Sequence, residues 1–180
     1  VNDAPTTDDD TASTDEDTNV DINIYESTSD IETTDLTGVE WYIDSQPSNG
    51  TLEWSNGGPS INGASNTFEG GGGIVTYTPD DNFNGTDTFT YKANDGEDDS
   101  NTSTITITVA AVNDAPTTTD YSVGDATEDT DYSIDVFDTD NSATGTKIVP
   151  NNDVEGDTIT ISIVSQPSNG TASVSGQTIT

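Results

Sequence analysis

The chain has 180 residues, of which 35 are acidic and two are basic, and its formal net charge at pH 7 is -33. A surface this negative repels nucleic acid and anionic lipid, which excludes both as expected partners. The chain has no cysteine or histidine, which excludes disulfides and soft-metal sites, so calcium bound by oxygen ligands is the metal to expect.

The apolar residues are few but ordered. Only 28% of the chain is hydrophobic, a share that without a pattern would suit a disordered chain. Here the apolar residues form short alternating runs separated by Gly, Asn, Asp and Pro, which indicates a folded chain with a thin core. No run is long enough to insert into a membrane, and the N-terminus shows no signal-peptide pattern, so we expect any targeting segment to lie outside these 180 residues.

Two strings of seven residues each occur twice, in the same order. VNDAPTT occupies 1–7 and 112–118, and SQPSNGT occupies 45–51 and 165–171. The spacing of the first pair, 112 minus 1 or 111 residues, suits one small domain per copy. We therefore predict one domain over 1–111 and the N-terminal part of a second over 112–180, with the last strands of the second copy missing.

The first strands of copy 1 are predicted at 20–24 and 39–43, because three apolar residues alternate with polar ones in each. A tryptophan at Trp41 suits the centre of a sandwich core. After these strands, Asn49 and Gly50 predict a tight hairpin turn, because Asn-Gly readily adopts positive φ. The same turn is predicted in copy 2, at Asn169-Gly170.

The remaining strands are predicted beyond a stretch rich in Gly, Asn and Ser, residues 55–73, which we interpret as a long, mobile hairpin tip. They lie at 75–79, 88–93 and 104–109 in copy 1, and alternation recurs at 132–136 and 159–163 in copy 2. About seven short strands per copy, with no helical period, predict an all-β fold of tandem β-sandwich domains whose second copy is incomplete.

Acidic residues gather at the predicted strand ends and beside the repeated VNDAPTT string. Loops at one end of a sandwich converge, and calcium takes six to eight oxygen ligands. We therefore predict that calcium bridges the two copies, using the Asp95 loop, the linker at 113–114, and either the pair at 128–129 or the Asp153 loop. The alternative is that these acids are solvated loop residues. The candidate ligands are Glu16, Asp17, Asp30, Glu32, Asp35, Asp95, Asn113, Asp114, Glu128, Asp129, Asp138, Asp140, Asp153, Glu155 and Asp157.

Weaker signals are interpreted structurally. Residues 80–85 resemble the first half of a helical calcium loop but lie between strands, so we predict a turn. Trp54 and Tyr42 would favour sugar binding if they formed an exposed platform, although the preferred interpretation is core packing for Trp41 and edge packing for Trp54. No histidine or cysteine is present and no nucleophile has an evident base, so we predict no enzyme activity.

Several spaced motifs together resemble the cadherin-like tandem repeats of large bacterial surface adhesins. These are VNDAP at the copy starts, EDT in the first strand region, DVEGDTITI, SQPSNGT, and YTPDDNFNGTDTFTY with the following NDG. The resemblance covers nearly the whole chain and implies extracellular, calcium-dependent, Ig-like or cadherin-like sandwiches strung into long stalks. For metal ligation it points most directly to Glu128, Asp153, Glu155, Asp157 and Asp95.

The function predicted from these observations is mechanical. The chain would be a calcium-stabilised extender segment of a secreted or cell-surface bacterial adhesin, with neighbouring repeats of the same chain as its partners. One alternative is a carbohydrate-binding module that takes polysaccharide. Another is a subunit of an extracellular filament, completed when another copy adds a strand to the sheet edge near 159–163.

Overall fold

The computed structural model describes residues 2–32, 35–55, 67–69, 73–117, 127–136 and 153–180. Within these ranges the chain forms thirteen β-strands and no helix, and so no helix that could span a membrane. The strands are β1 (Thr6–Thr7), β2 (Asp10–Asp15), β3 (Val20–Asn23), β4 (Thr28–Ser29), β5 (Glu40–Ser45), β6 (Gly50–Trp54), β7 (Thr67–Glu69), β8 (Ile74–Pro79), β9 (Gly85–Asn94), β10 (Ser103–Ala110), β11 (Ile134–Asp135), β12 (Val174–Ser175) and β13 (Thr178–Ile179).

The chain divides into two compact units, Val1–Val112 and Asn113–Thr180. Unit 1 contains a five-stranded sheet in the order β2-β10-β9-β5-β7 and a three-stranded sheet in the order β3-β8-β6, whose buried residues form one core. In addition, β1 pairs with β4. Among the pairs that the structure describes, β2 with β10 is parallel and the others are antiparallel. The predicted all-β sandwich fold is confirmed.

The core of unit 1 is built from the alternating residues that the sequence pattern placed inward. Trp41 is fully buried in β5, and its indole N–H donates to the Thr28 hydroxyl at 3.0 Å. Tyr77, Phe89 and Tyr91 fill the rest of the centre. Burial of side chains this large supplies most of the stabilisation available to a small sandwich.

The SQPSNGT string of copy 1 is not the predicted hairpin turn. The strand before it, β5, pairs with β9, whereas the strand after it, β6, pairs with β8 in the other sheet. The string therefore carries the chain from one sheet to the other. Gly50 is not among the residues with positive φ. A Cβ there would lie 2.5 Å from Cε2 of Tyr77, so glycine is needed for close packing.

The prediction of a long hairpin tip over 55–73 is also wrong in its topology. β6 and β8, which flank this stretch, pair with each other, but β7 lies within it and pairs with β5 in the five-stranded sheet. The stretch therefore contributes a strand to the opposite sheet. Residues 56–66 and 70–72 lie outside the described part of the chain.

β2 was not predicted, because its sequence, DTASTD, has no apolar alternation. It forms along the edge of the five-stranded sheet by pairing with β10 over six residues, and Ala12 alone packs partly against the core. Backbone pairing with a strand 95 residues later in the chain (105 minus 10) thus replaces the missing hydrophobic pattern.

In the described part of unit 2, three short strands form a sheet in the order β11-β13-β12. Val136 is buried, and Ile134 lies half-buried in β11. The strand predicted at 159–163 is not present in the structure, and its isoleucines are half-buried in irregular backbone. In unit 1 the equivalent strand, β5, pairs with β9, and the counterpart of β9 is not among these 180 residues.

Candidate functional site

Unit 1 has two ends that are separated by the length of its long strands. The ten residues of β9 span ~30 Å at the usual rise per residue. The Asp95 loop follows β9 at one end, where Asn2 donates to Asp95 Oδ2 at 2.9 Å. Glu16 and Val112 lie beyond the other end of β10, because Ala110 pairs with Asp15. We call these the Asp95 end and the Glu16 end.

The candidate ligands of unit 1 are divided between these two ends. Asp35 lies at the Asp95 end, because it precedes β5 and the first residue of β5, Glu40, pairs with Asn94, the neighbour of Asp95. β1 comes shortly after Asn2, which lies at the Asp95 end, and β4 runs antiparallel to β1. Asp30 and Glu32, which follow β4, therefore lie at the same end. Glu16 and Asp17 lie at the Glu16 end. The sequence prediction that the Asp95 loop shares one site with the linker after Val112 is therefore wrong, because the whole of β10 separates them.

At the Asp95 end, Asp95 and Asp35 accept hydrogen bonds within their own loops. Asp95 Oδ1 accepts from the N–H groups of Glu97 and Asp98 at 2.8 Å, and Asp35 Oδ1 accepts from Thr37 N at 3.2 Å. The backbone N–H of Asp98 is the main cause that lowers the pKa of Asp95, and that of Thr37 lowers the pKa of Asp35. Hydrogen bonds to the charged form favour ionisation. These acids therefore hold loop conformations.

Asp30 and Glu32 form a similar local turn. Asp30 Oδ1 accepts from Glu32 N at 2.8 Å, and the Glu32 side chain is exposed. This is the hydrogen bond of an Asx turn, in which an aspartate replaces one backbone acceptor.

At the Glu16 end a carboxylate is buried instead. Glu16 is 3% exposed, and its backbone N–H donates to Ala110 O at 2.9 Å. Glu16 Oε1 accepts from Val112 N, and Oε2 accepts from Asn84 Nδ2 at 3.3 Å. Glu16 thus extends the pairing of β2 with β10 by further hydrogen bonds beyond the end of β2.

The EDT motif gives the same backbone conformation in both units. Asp17 has a φ of 57° and its counterpart Asp129 a φ of 59°, in the left-handed region. Asp17 Oδ1 accepts from Asn82 N at 2.9 Å, whereas Glu128 and Asp129 are exposed. The repeated motif therefore specifies a turn.

In unit 2 the structure brings together two predicted ligands that are 41 residues apart in sequence. Asp114 N donates to Glu155 Oε2 at 3.1 Å, and Glu155 Oε1 is buried with no hydrogen-bond partner. The same loop is closed by Asp157 N, which donates to Asp153 Oδ1 at 2.7 Å, and by Gly156 with a φ of 74°. The Asn113 amide donates to Asp114 O at 3.0 Å. A buried carboxylate oxygen without a partner is a place where a cation fits.

The described residues do not contain a group of three or more acidic side chains arranged to hold a metal ion. Asp138 and Asp140 lie outside the described part of the chain. Calcium binding therefore stays a prediction, and Asp114 with Glu155 is the pair that supports it.

Trp54 and Tyr42 do not form an exposed platform for sugar rings. Trp41 is 0% exposed and Trp54 is 3% exposed, so both belong to the core. Tyr42 is partly exposed on β5, and its hydroxyl donates to Glu40 Oε2 at 2.6 Å. The core packing expected for Trp41 is confirmed, whereas Trp54, for which edge packing was expected, also lies in the core. The exposed platform of Trp54 and Tyr42 that would have favoured a carbohydrate-binding module is not formed.

One buried carboxylate of unit 1 was not predicted. Asp87 is 4% exposed, and its two oxygens accept from Ser48 N at 3.0 Å and Asn49 N at 2.8 Å. They also accept from Thr88 N at 2.9 Å and the Tyr77 hydroxyl at 3.1 Å. Burial raises the pKa of Asp87, but these hydrogen bonds outweigh it and hold the pKa below its usual range.

Asp87 could have been found from strand parity. It alternates with Phe89, Tyr91 and Ala93 in β9 and so occupies an inward position. The Asp87 hub, which we define as Asp87 with Ser48, Asn49, Tyr77 and Thr88, fixes the crossover between the two sheets. Its role is structural.

The sequence profile of bacterial Ig domains matches residues 2–108, which is most of unit 1 and more than half of the chain. The chain belongs to the bacterial Ig domain family. Bacterial Ig domains are structural, non-catalytic modules that commonly occur in extracellular or surface proteins. The narrower assignment to cadherin-like adhesin repeats stays a prediction.

The chain is also similar to a solved structure, a variant of an endo-fucoidan hydrolase from glycoside hydrolase family 107. The two are 18% identical with a TM-score of 0.38, and the match covers 61% of this chain and 14% of the hydrolase. A likeness at this level transfers no activity to the Ig domain. None of the curated proteins matches the chain.

Proposed function

We propose that this bacterial Ig domain chain is a calcium-stabilised extender segment of a secreted or cell-surface adhesin. The observation that carries the proposal is that the chain enters unit 1 at the Asp95 end and leaves it at the Glu16 end. A module of this kind adds its own length, ~30 Å along the strands, to any string in which it is repeated. The proposed function of the segment is therefore to act as a spacer, with neighbouring repeats of the same chain as its partners.

The composition supports an extracellular position for the segment. A net charge of -33 on 180 residues keeps such a chain soluble but destabilises it by self-repulsion. A medium that contains millimolar calcium would relieve that repulsion, and weak extracellular sites have dissociation constants of roughly 0.1 to 1 mM.

Asp114 and Glu155 are the residues that would hold calcium in unit 2. Glu155 Oε1 is buried without a hydrogen-bond partner and lies on a carboxylate already bonded to the Asp114 backbone. Asp153 and Asp157 lie in the same loop and offer further carboxylates. Bound calcium would supply two positive charges to this carboxylate-rich loop.

A thermal melt of the 180-residue chain tests the calcium proposal. We expect a few millimolar calcium to stabilise the chain by about 1 kcal/mol or more per site over chelator, as linkage with a Kd of roughly 0.1 to 1 mM requires. Magnesium at matched ionic strength is the control for screening. Equal stabilisation by magnesium would contradict the proposal.

A matched pair of variants locates the effect. Glu155→Gln removes one charge and replaces one carboxylate oxygen with an NH₂ group that cannot bind calcium, whereas Glu53→Gln makes the same change on the exposed face of β6. We expect the calcium-specific rise in melting temperature to shrink in Glu155→Gln and to persist in Glu53→Gln. The same loss in both variants would contradict the role of Glu155.

A further inference from the structure

The first and last long strands of unit 1 lie side by side and run in the same direction. β2 pairs with β10 over six residues, from Asp10 opposite Ile105 to Asp15 opposite Ala110. The chain before β2 leads to the Asp95 end, and the chain after β10 leaves at the Glu16 end. Tension between the two termini therefore pulls the paired strands in opposite directions along their length, so that the whole ladder is sheared at once.

A buried polar cluster closes this ladder at the Asp95 end. The Thr7 hydroxyl donates to Asn101 O at 2.9 Å and lies 2.8 Å from the Ser103 hydroxyl. Thr7 N donates to Asn101 Oδ1 at 3.0 Å, and Asn101 Nδ2 donates to Thr7 O at 2.7 Å. Thr7 and Ser103 are 3% and 2% exposed. We call these three residues the Thr7 lock.

A second polar contact closes the ladder at the Glu16 end. Glu16 bonds through its backbone N–H to Ala110 and through its carboxylate to Val112 N. At the other end of the ladder Thr104 N donates to Asp9 Oδ1 at 2.7 Å, in an exposed position, beside the buried Thr7 and Ser103. Hydrogen bonds in the low-dielectric interior of a protein are stronger than those exposed to water. The ladder is therefore protected at both ends against fraying.

We propose that the β2–β10 ladder, closed by the Thr7 lock and by Glu16, is a shear clamp that sets the resistance of unit 1 to tension. This inference rests on the proposed extender function and adds where tension is resisted. The Asp87 hub lies outside the clamp, because it joins residues 48, 49, 77 and 88 and none of the terminal segments. The clamp thus predicts that two substitutions with the same cost in stability, one in the clamp and one in the hub, change the lifetime under force by different amounts.

A single-molecule experiment at constant force compares variants on the two sides of that division. The 180-residue chain is held by its termini between two reference domains, in chelator. Unfolding of unit 1 is recognised by the release of roughly 400 Å of chain from its 112 residues, less the ~30 Å that it already spans. The measured quantity is the lifetime of unit 1 before this step.

Thr7→Val and Tyr77→Phe form a matched pair, because each removes one hydroxyl that makes two hydrogen bonds. Tyr77 contacts Asn49 O and Asp87 Oδ2, each at 3.1 Å. We expect Thr7→Val to shorten the lifetime about tenfold, the change that ~1.4 kcal/mol of barrier produces, and Tyr77→Phe by less than about twofold. Glu16→Met, which keeps the length of the side chain but has no oxygen to accept from Val112 N, is a second clamp variant and is expected to act like Thr7→Val.

Equal shortening by the clamp and hub variants, or unchanged lifetimes in both clamp variants, would overturn the proposal. Thermal melts of the same proteins serve as the control, because they measure whether each variant folds and whether Thr7→Val and Tyr77→Phe lose the same stability. Because the lifetimes are measured in chelator, a failure of the clamp is distinguishable from a failure of the calcium-stabilised extender.

Discussion

The Thr7 lock and the Asp87 hub each have buried, hydrogen-bonded side chains at their centre, but they join different parts of unit 1. The lock connects residues 94 and 96 positions apart, the first strand to the last. The hub connects Asp87 to residues 1 to 39 positions away and fixes the crossover between the two sheets. One holds the termini against tension, and the other holds the interior in register, so stability and mechanical resistance should be separable in this fold.

The largest effect is expected from removing the hub. Asp87→Ala deletes the acceptor of four hydrogen bonds and leaves the Ser48 and Asn49 N–H groups and the Tyr77 hydroxyl without their buried partner. Bonds to a charged group contribute about 1.5 to 3 kcal/mol each, although they are not additive. We expect a loss of about 3 kcal/mol in denaturant unfolding.

A matched variant separates the hub from general loss of acidic charge. Asp21→Ala removes a carboxylate that accepts from Ser55 and Thr76 on the exposed face of the three-stranded sheet. Surface substitutions usually change stability by about 0.5 kcal/mol or less. If Asp21→Ala cost as much as Asp87→Ala, burial of the hub would not be the cause.

A smaller effect is expected from acid, and it sharpens the same comparison. The folded-state pKa of Asp87 is held below its unfolded value of about 3.9. Its contribution is therefore present above about pH 4 and is lost as the pH falls through the folded pKa. The stability difference between the native chain and Asp87→Asn should shrink below about pH 4.

The comparison with Asp87→Asn cancels the other acids, which titrate in both proteins. The same pH series on Thr7→Val is the control, because the Thr7 lock has no titratable member. A gap between the native chain and Asp87→Asn that stayed constant from neutral pH to pH 3 would show that the Asp87 carboxylate is not held ionised by the hub.

The apolar strands of unit 1 could be predicted because their pattern is local. Ile105, Ile107 and Val109 alternate with threonine, and all three are buried. β2 could not be predicted in this way, since DTASTD offers no hydrophobic period and the strand is held by pairing with a partner far along the chain. A prediction from periodicity misses strands that are stabilised mainly by backbone hydrogen bonds.

The candidate site was predicted less well than the fold, because proximity depends on which end of the sandwich each loop occupies. The predicted strand at 104–109 already separated Asp95 from the linker after Val112, which excludes one shared site. The contact of Asp114 with Glu155 agrees with the expectation that the linker meets the Asp153 loop. The burial of Glu16 could not be predicted, because Asp15, Asp17 and Thr18 beside it are polar and offer no apolar alternation.

The separation of the two ends of unit 1 is the central claim, and a distance between two spin labels measures it. Because the chain has no cysteine, Asp3→Cys and Ala111→Cys place one label at each end, and Asp3→Cys with Glu97→Cys places both at the Asp95 end. The account predicts a distance of about 30 Å or more for the first pair, from the length of β9, and a much shorter one for the second. A short distance for Asp3 and Ala111 would show that the chain enters and leaves unit 1 on one side, and would contradict the extender.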